Sequence, residues 1–150
     1  MRTLTHLIAM IVSLAVVLAS ASPAVTQPSK PPRDPATIQK KLERSAELQR
    51  QTLQALGDRE QAERLVARAW NELKSANDDM IVNKNNSKFP DPLFPANIKR
   101  LDQALDLVQV ALDRLRARDK WTGEASQVQE VRAKLEQAVR LTTTVAATTF

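Results

Sequence analysis

The sequence predicts an all-α protein, an antiparallel bundle of about four helices arranged as two hairpins, that follows a signal peptide. Four segments of the 150-residue chain carry apolar residues at three- and four-residue steps, and each is apolar on one stripe only. The prolines and the two glycines lie outside these segments or at their ends. The first 24 residues have the pattern of an export signal. Helices with one apolar stripe bury it by packing together, which favours a bundle.

The N-terminal segment, residues 1–24, has a cationic start, an apolar stretch and a cleavage motif of small residues. Arg2 supplies the charge, residues 7–18 are almost entirely apolar, and cleavage after Ala21 or Ala24 fits the small residues there. We therefore expect an exported protein, periplasmic or secreted, with no stable membrane span after cleavage. An uncleaved anchor is the alternative, because the apolar stretch is close to the roughly 20 residues that span a bilayer.

Residues 25–34 are rich in proline and predict a disordered leader. Asp34 and Pro35 predict the start of the first helix, because an aspartate accepts an N-terminal N–H and proline fits the first helical position. Gly57 then predicts a stop and Asp58 a second start, so the first two helices form a hairpin. One helix that continues through Gly57 is the alternative, since glycine costs only about 1 kcal/mol there.

The apolar stripe of the first predicted helix contains a polar residue, whereas that of the second does not. In the first helix, the polar residue Gln49 interrupts an otherwise apolar set: Ile38, Leu42, Ala46, Leu53 and Leu56. The stripe of the second helix is uninterrupted: Ala62, Leu65, Val66, Ala69, Trp70, Leu73, Ala76 and Met80.

The second half of the chain predicts a long loop and two more helices. Residues 83–97 contain three prolines, which fix φ and remove backbone donors, so they predict the loop. The third helix is predicted from Ile98 onward and the fourth after Gly123. We expect the bundle to span residues 35–145, with a frayed, β-branched tail at 146–150. An elongated coiled coil that dimerises is the alternative architecture, since narrow seven-residue stripes also suit oligomers.

Missing residue types exclude several kinds of chemistry. The chain has no cysteine, and its one histidine, His6, lies in the predicted signal. This excludes disulfides, zinc or copper ligands in the mature chain, and catalysis by Ser-His-Asp or Cys-His groups. Oxygen ligands for calcium occur between residues 78 and 86, but the EF-hand order is missing. With only two glycines, the chain does not support a glycine-rich phosphate-binding loop. From all of these missing features we predict no enzyme activity, no cofactor and no metal.

The chain is basic, with a net charge of +5 that falls by one if Arg2 is removed with the signal. The densest cationic cluster lies near the end of the third helix: Arg114, Arg116, Arg118 and Lys120. Two aspartates interrupt this cluster, and cations in a last helical turn also complement the helix dipole. We therefore expect no nucleic-acid partner.

The functional hypothesis is an exported, non-catalytic binding or adaptor protein; a periplasmic chaperone that binds unfolded clients is the alternative. We expect the partner to be another protein or a second copy of this chain, as a homo-oligomer. The predicted partner-binding residues are Phe89, Leu93 and Phe94, because nearby prolines stiffen the loop and present apolar groups at low entropic cost. The competing interpretation is that these side chains fold back and cap the bundle.

Overall fold

A computed structural model describes residues 31–86 and 93–148. Within these residues lie four α-helices and a single-turn 3₁₀-helix: α1 Pro35–Gln54, α2 Arg59–Lys84, α3 Phe94–Arg116, the 3₁₀-helix Arg118–Lys120 and α4 Ala125–Thr148. No described residue is in a strand, so the all-α prediction is confirmed. The predicted signal peptide and the first part of the leader lie outside the described residues.

The helices pack as a bundle. The main contacts join α1 with α2 and α4, and α3 with α2 and α4. Neighbouring helices are antiparallel, because Lys41 near the start of α1 pairs with Asp79 near the end of α2. In the same way, Asn97 at the start of α3 bonds Thr148 at the end of α4. The chain therefore forms the predicted hairpin at Gly57 rather than one continuous helix.

Asp34 and Asp58 start the first two helices as predicted. The Asp34 carboxylate accepts from the backbone N–H of Ala36 at 3.2 Å, and the Asp58 carboxylate accepts from that of Gln61, also at 3.2 Å. Each aspartate therefore satisfies a backbone donor that has no partner inside the helix and places negative charge at the positive end of the helix dipole.

The predicted loop at residues 83–97 is too long at both ends. α2 continues to Lys84, and α3 already begins at Phe94. Pro95 lies in the first turn of α3, where its missing N–H is not needed because that group would have no helical partner. The connection is therefore residues 85–93, and Pro95 belongs to a helix start.

The last helix extends past residue 145, the predicted end of the domain, to Thr148. The hydroxyls of Thr144 and Thr148 each donate to the carbonyl four residues earlier, at 2.8 Å. Val145 is fully buried between them. Residues 146–148, which were predicted to belong to a frayed tail, are therefore helical.

The predicted apolar stripes fill the centre of the bundle. Leu42, Leu73, Leu101 and Leu135, one from each helix, are fully buried. Alanines at seven-residue intervals let the helices approach closely, and they too are fully buried: Ala62, Ala69 and Ala76 on α2, and Ala104 and Ala111 on α3. Because the chain has no cysteine, packing of this core takes the place of covalent crosslinks.

A polar layer crosses the core between α1 and α4. Gln49 is fully buried, and its Nε2 donates to the hydroxyls of Ser45 at 3.1 Å and Thr142 at 3.2 Å. Both hydroxyls donate their own proton to backbone carbonyls, those of Ala69 and Ala138. Gln49, the polar residue that interrupts the predicted stripe, is therefore accommodated in the core by a hydrogen-bond network.

Candidate functional site

The two ends of the bundle hold different segments of the chain. The end that we call the open end comprises residues 31–34, 81–86, 93–97 and 148. The end that we call the turn end comprises residues 55–59 and 114–127. The predicted partner-binding residues belong to the open end or to the connection that leaves it.

The structure separates the predicted partner-binding residues. Phe94 is 7% exposed and packs in the hydrophobic core, whereas its neighbour Leu93 is 44% exposed. Phe89 lies outside the described residues. Phe94 thus packs as the competing interpretation expects, while the side chain of Leu93 faces solvent.

Ile81 is an exposed apolar residue that the sequence analysis missed. Three large apolar side chains are exposed among the described residues, namely Ile81 at 38%, Leu93 at 44% and Val110 at 39%. The first two lie at the open end, on either side of the 85–93 connection. The available signal for Ile81 was its position directly after Met80, the last residue of the predicted stripe of α2, because Ile81 itself is not part of that stripe.

A polar cleft lies between residues 32–34 and the first two helices. Its base is Asp79, whose side chain is 12% exposed and accepts a hydrogen bond from Lys41 Nζ at 2.6 Å. Lys41 Nζ also donates to Ser75 Oγ at 2.8 Å. Neither this lysine–serine pair nor the cleft can be recognised in the sequence, because 34 residues separate the two partners.

A lysine next to a serine can act as a base that activates the hydroxyl as a nucleophile. That role needs a neutral amine with a free lone pair. The Asp79 carboxylate at 2.6 Å from Lys41 Nζ instead forms an ion pair with the ammonium. The geometry of Ser75, Lys41 and Asp79 therefore fits a structural hydrogen-bond network between α1 and α2.

The oxygen-rich segment at residues 78–86 is already engaged by other groups of the chain. Asp79 binds Lys41 and Arg33, Asp78 binds Lys74, and Asn83 binds the backbone of Arg33. Across residues 31–86 and 93–148 there is no group of three or more acidic, histidine or cysteine side chains that could hold a metal ion.

The basic cluster at the turn end is partly neutralised. Arg114 pairs with Glu130 of α4 at 3.0 Å, and Arg116 pairs with Glu63 of α2 at 3.6 Å. Glu63 also accepts from Arg59, whose guanidinium donates to the carbonyl of Leu115. These cations thus tie the end of α3 to its neighbours. The absence of a nucleic-acid partner stays a prediction.

No helix in the described part of the chain is long and apolar enough to cross a membrane. The chain matches no protein-family model, no curated protein and no solved structure. By its fold, the protein is an all-α bundle, and it has exposed apolar residues at the open end. Function is therefore inferred from the residues themselves.

Proposed function

We propose that the protein is an exported, non-catalytic binding or adaptor protein whose partner surface lies at the open end. The observation that supports this most is the exposure of Ile81 and Leu93 at that end. Contiguous exposed apolar patches with a polar rim mark interaction sites, and the proposal is that Ile81 and Leu93 contribute to one such patch. Leu93 belongs to the set predicted from the sequence, and Ile81 extends it, while Phe94 holds the start of α3 in place from the core.

The surround of this surface indicates the chemistry of its partner. Lys84 and Asn85 at the end of α2 and Lys99 in α3 are exposed. A partner that inserts an apolar side chain next to Leu93 and carries acidic groups around it would match both features. Charges at the rim of such a surface mainly increase the association rate and the specificity.

The non-catalytic part of the proposal is supported by the ion pairing in the cleft. The Lys41 ammonium, which would have to be neutral to activate Ser75, is held by Asp79. The alternative is a periplasmic chaperone. It would bind many unrelated unfolded proteins at the same surface, whereas an adaptor would bind one specific partner.

The partner surface is tested by replacing Ile81 and Leu93 together with serine. We expect the yield of a specific crosslinked partner in cells to fall severalfold while the melting temperature stays within a few degrees, because both side chains are exposed. Val110→Ser is the matched control, since Val110 has a similar exposure but lies 17 positions after Leu93, or about 25 Å further along α3.

Equal partner yields for the double variant and the native protein would contradict the proposed surface. An equal loss in the Val110→Ser control would do so as well. Capture of many unrelated proteins by the native chain would favour the chaperone.

Export is tested separately by the intact mass of the protein recovered from its native host. We expect a mature chain that begins near Ser22 or Val25, because signal peptidase cleaves after small residues such as Ala21 and Ala24. A full-length species extracted from membranes would contradict cleavage and favour an anchor.

A further inference from the structure

Asn83 holds the backbone of a residue 50 positions earlier in the chain. Its side chain is almost completely buried, at 1% exposure. The backbone N–H of Arg33 donates to Asn83 Oδ1 at 2.7 Å, and Asn83 Nδ2 donates to the Arg33 carbonyl at 2.9 Å. The Asn83 side chain therefore pairs with both the N–H and the carbonyl of Arg33, as a neighbouring β-strand would. These two hydrogen bonds do not depend on the side chain at position 33.

Asp79 supplies the part of the contact that depends on the side chain. It precedes Asn83 by four residues, so both project from the same face of α2. The Asp79 carboxylate lies 3.4 Å from Nε of Arg33. Asn83 thus binds the backbone of Arg33, and Asp79, one helical turn away, binds the cationic side chain of the same residue.

The segment that fills this site is stiffened before it binds. Pro31 and Pro32 come directly before Arg33, and proline restricts both its own φ and the residue in front of it. Asp34 is also extended, with φ of −63° and ψ of 123°. Little conformational entropy is therefore lost when the segment docks.

The geometry points to a docking site on α2, formed by Asn83 and Asp79, for an extended peptide segment that carries a guanidinium or ammonium group. Its occupant is the chain's own segment of residues 31–33, which is thereby part of the folded unit and not of a disordered leader. Departure of the segment would leave a buried amide without its partners and remove one of two cations from Asp79, which opposes release. This inference does not depend on the proposed partner surface.

The test is the rate of trypsin cleavage at the Arg33–Asp34 bond in the purified full chain, identified by the mass of the fragment that begins at Asp34. Trypsin must bind the Arg33 side chain, so it cleaves only when the segment has left Asp79 and Asn83. We expect Asn83→Ala to increase this rate about tenfold, because two hydrogen bonds of ordinary net strength are lost. The matched control is Asn71→Ala, an exposed asparagine on the same helix, which should leave the rate unchanged.

Hydrogen exchange of the Arg33 backbone amide gives a second measurement without a protease. The amide should exchange about tenfold faster in Asn83→Ala, while the amides in the middle of α1 and α2 exchange as in the native chain. If circular dichroism shows that Asn83→Ala has lost helix, Asn83→Asp is used instead, which keeps the acceptor for the Arg33 N–H and removes the donor to its carbonyl. Unchanged cleavage and exchange rates in a folded Asn83 variant would overturn the docking site.

Discussion

The turn end and the open end of the bundle differ in how far the chain satisfies its own polar and apolar groups. At the turn end, Gln127 Oε1 accepts from the backbone N–H groups of Thr122 at 2.9 Å and Gly123 at 3.2 Å, and its Nε2 donates to the Lys120 carbonyl at 2.8 Å. Arg59 donates to the last-turn carbonyl of α3 at 2.9 Å. Among the described residues of this end, no large apolar side chain is exposed.

The open end is satisfied in part by a segment outside the helices and leaves apolar groups in solvent. Asn83 and Asp79 are paired with Arg33, while Ile81 and Leu93 are exposed. Short turns can be closed by a few side chains of the adjoining helices, as Gln127 does. The open end leaves two large apolar side chains in solvent, so it is the end at which we expect a partner to bind.

The comparison is tested most strongly at the start of α3, by Phe94→Ala. We expect a loss of about 3–5 kcal/mol in the free energy of unfolding, because Phe94 is buried in the core and its removal leaves a cavity. The neighbouring Leu93→Ala should change stability by less than about 0.5 kcal/mol, since that side chain is exposed. Urea unfolding followed by far-ultraviolet circular dichroism measures both.

A change below about 1 kcal/mol for Phe94→Ala would mean that Phe94 is not core packing. The open end would then be less well packed than the burial of Phe94 indicates. Phe94 would again be a candidate partner-binding residue.

The two glycines at the turn end allow a second, smaller test. Gly123 has φ of +73°, so Gly123→Ala should destabilise the bundle by about 1–2 kcal/mol through contact of the new Cβ with its own backbone. Gly57 does not have a positive φ, and a Cβ there would meet nothing within 4 Å. Gly57→Ala should therefore be neutral or stabilise by up to about 1 kcal/mol.

Thermal unfolding of the two glycine variants side by side makes the measurement. Equal effects would show that the 117–124 connection does not depend on the left-handed conformation of Gly123. The hydrogen bonds of Gln127 would then be the main determinant of that turn.

The local parts of this fold could be predicted from the sequence. Burial of a helical stripe and capping by an aspartate depend on residues within a few positions, so all four helices and the starts at Asp34 and Asp58 were predicted. Pro95 gave an ambiguous signal, because proline suits both a loop and the first turn of a helix. The start of α3 was therefore placed four residues too late, at Ile98.

The contacts of the open end could not be predicted in the same way. Arg33 and Asn83 are 50 residues apart, and Lys41 and Ser75 are 34 apart. Which of them meet depends on the register between helices, which the periodicity of one helix does not contain. The burial of Phe94 and the exposure of Leu93 likewise follow from the orientation of the first turn of α3.

The smallest expected effect concerns the polar layer between the two ends, at Gln49. Since the hydroxyls of Ser45 and Thr142 use their protons on backbone carbonyls, they can only accept from Gln49 Nε2. This fixes the orientation of the amide and leaves the buried Gln49 Oε1 without a hydrogen-bond partner. An unpaired buried acceptor costs about 1–3 kcal/mol, similar to the net strength of the two hydrogen bonds that the same amide makes.

Replacement of Gln49 by methionine, which has a similar length and no acceptor to satisfy, should therefore raise the free energy of unfolding by up to about 1 kcal/mol. Gln49→Ala is the control, because it removes the same polar groups but leaves a cavity, and it should lower stability. Urea unfolding of both variants decides the outcome. A loss above about 1 kcal/mol for Gln49→Met would show that the polar layer stabilises the bundle as a whole, and that the interior, like the turn end, satisfies its polar groups.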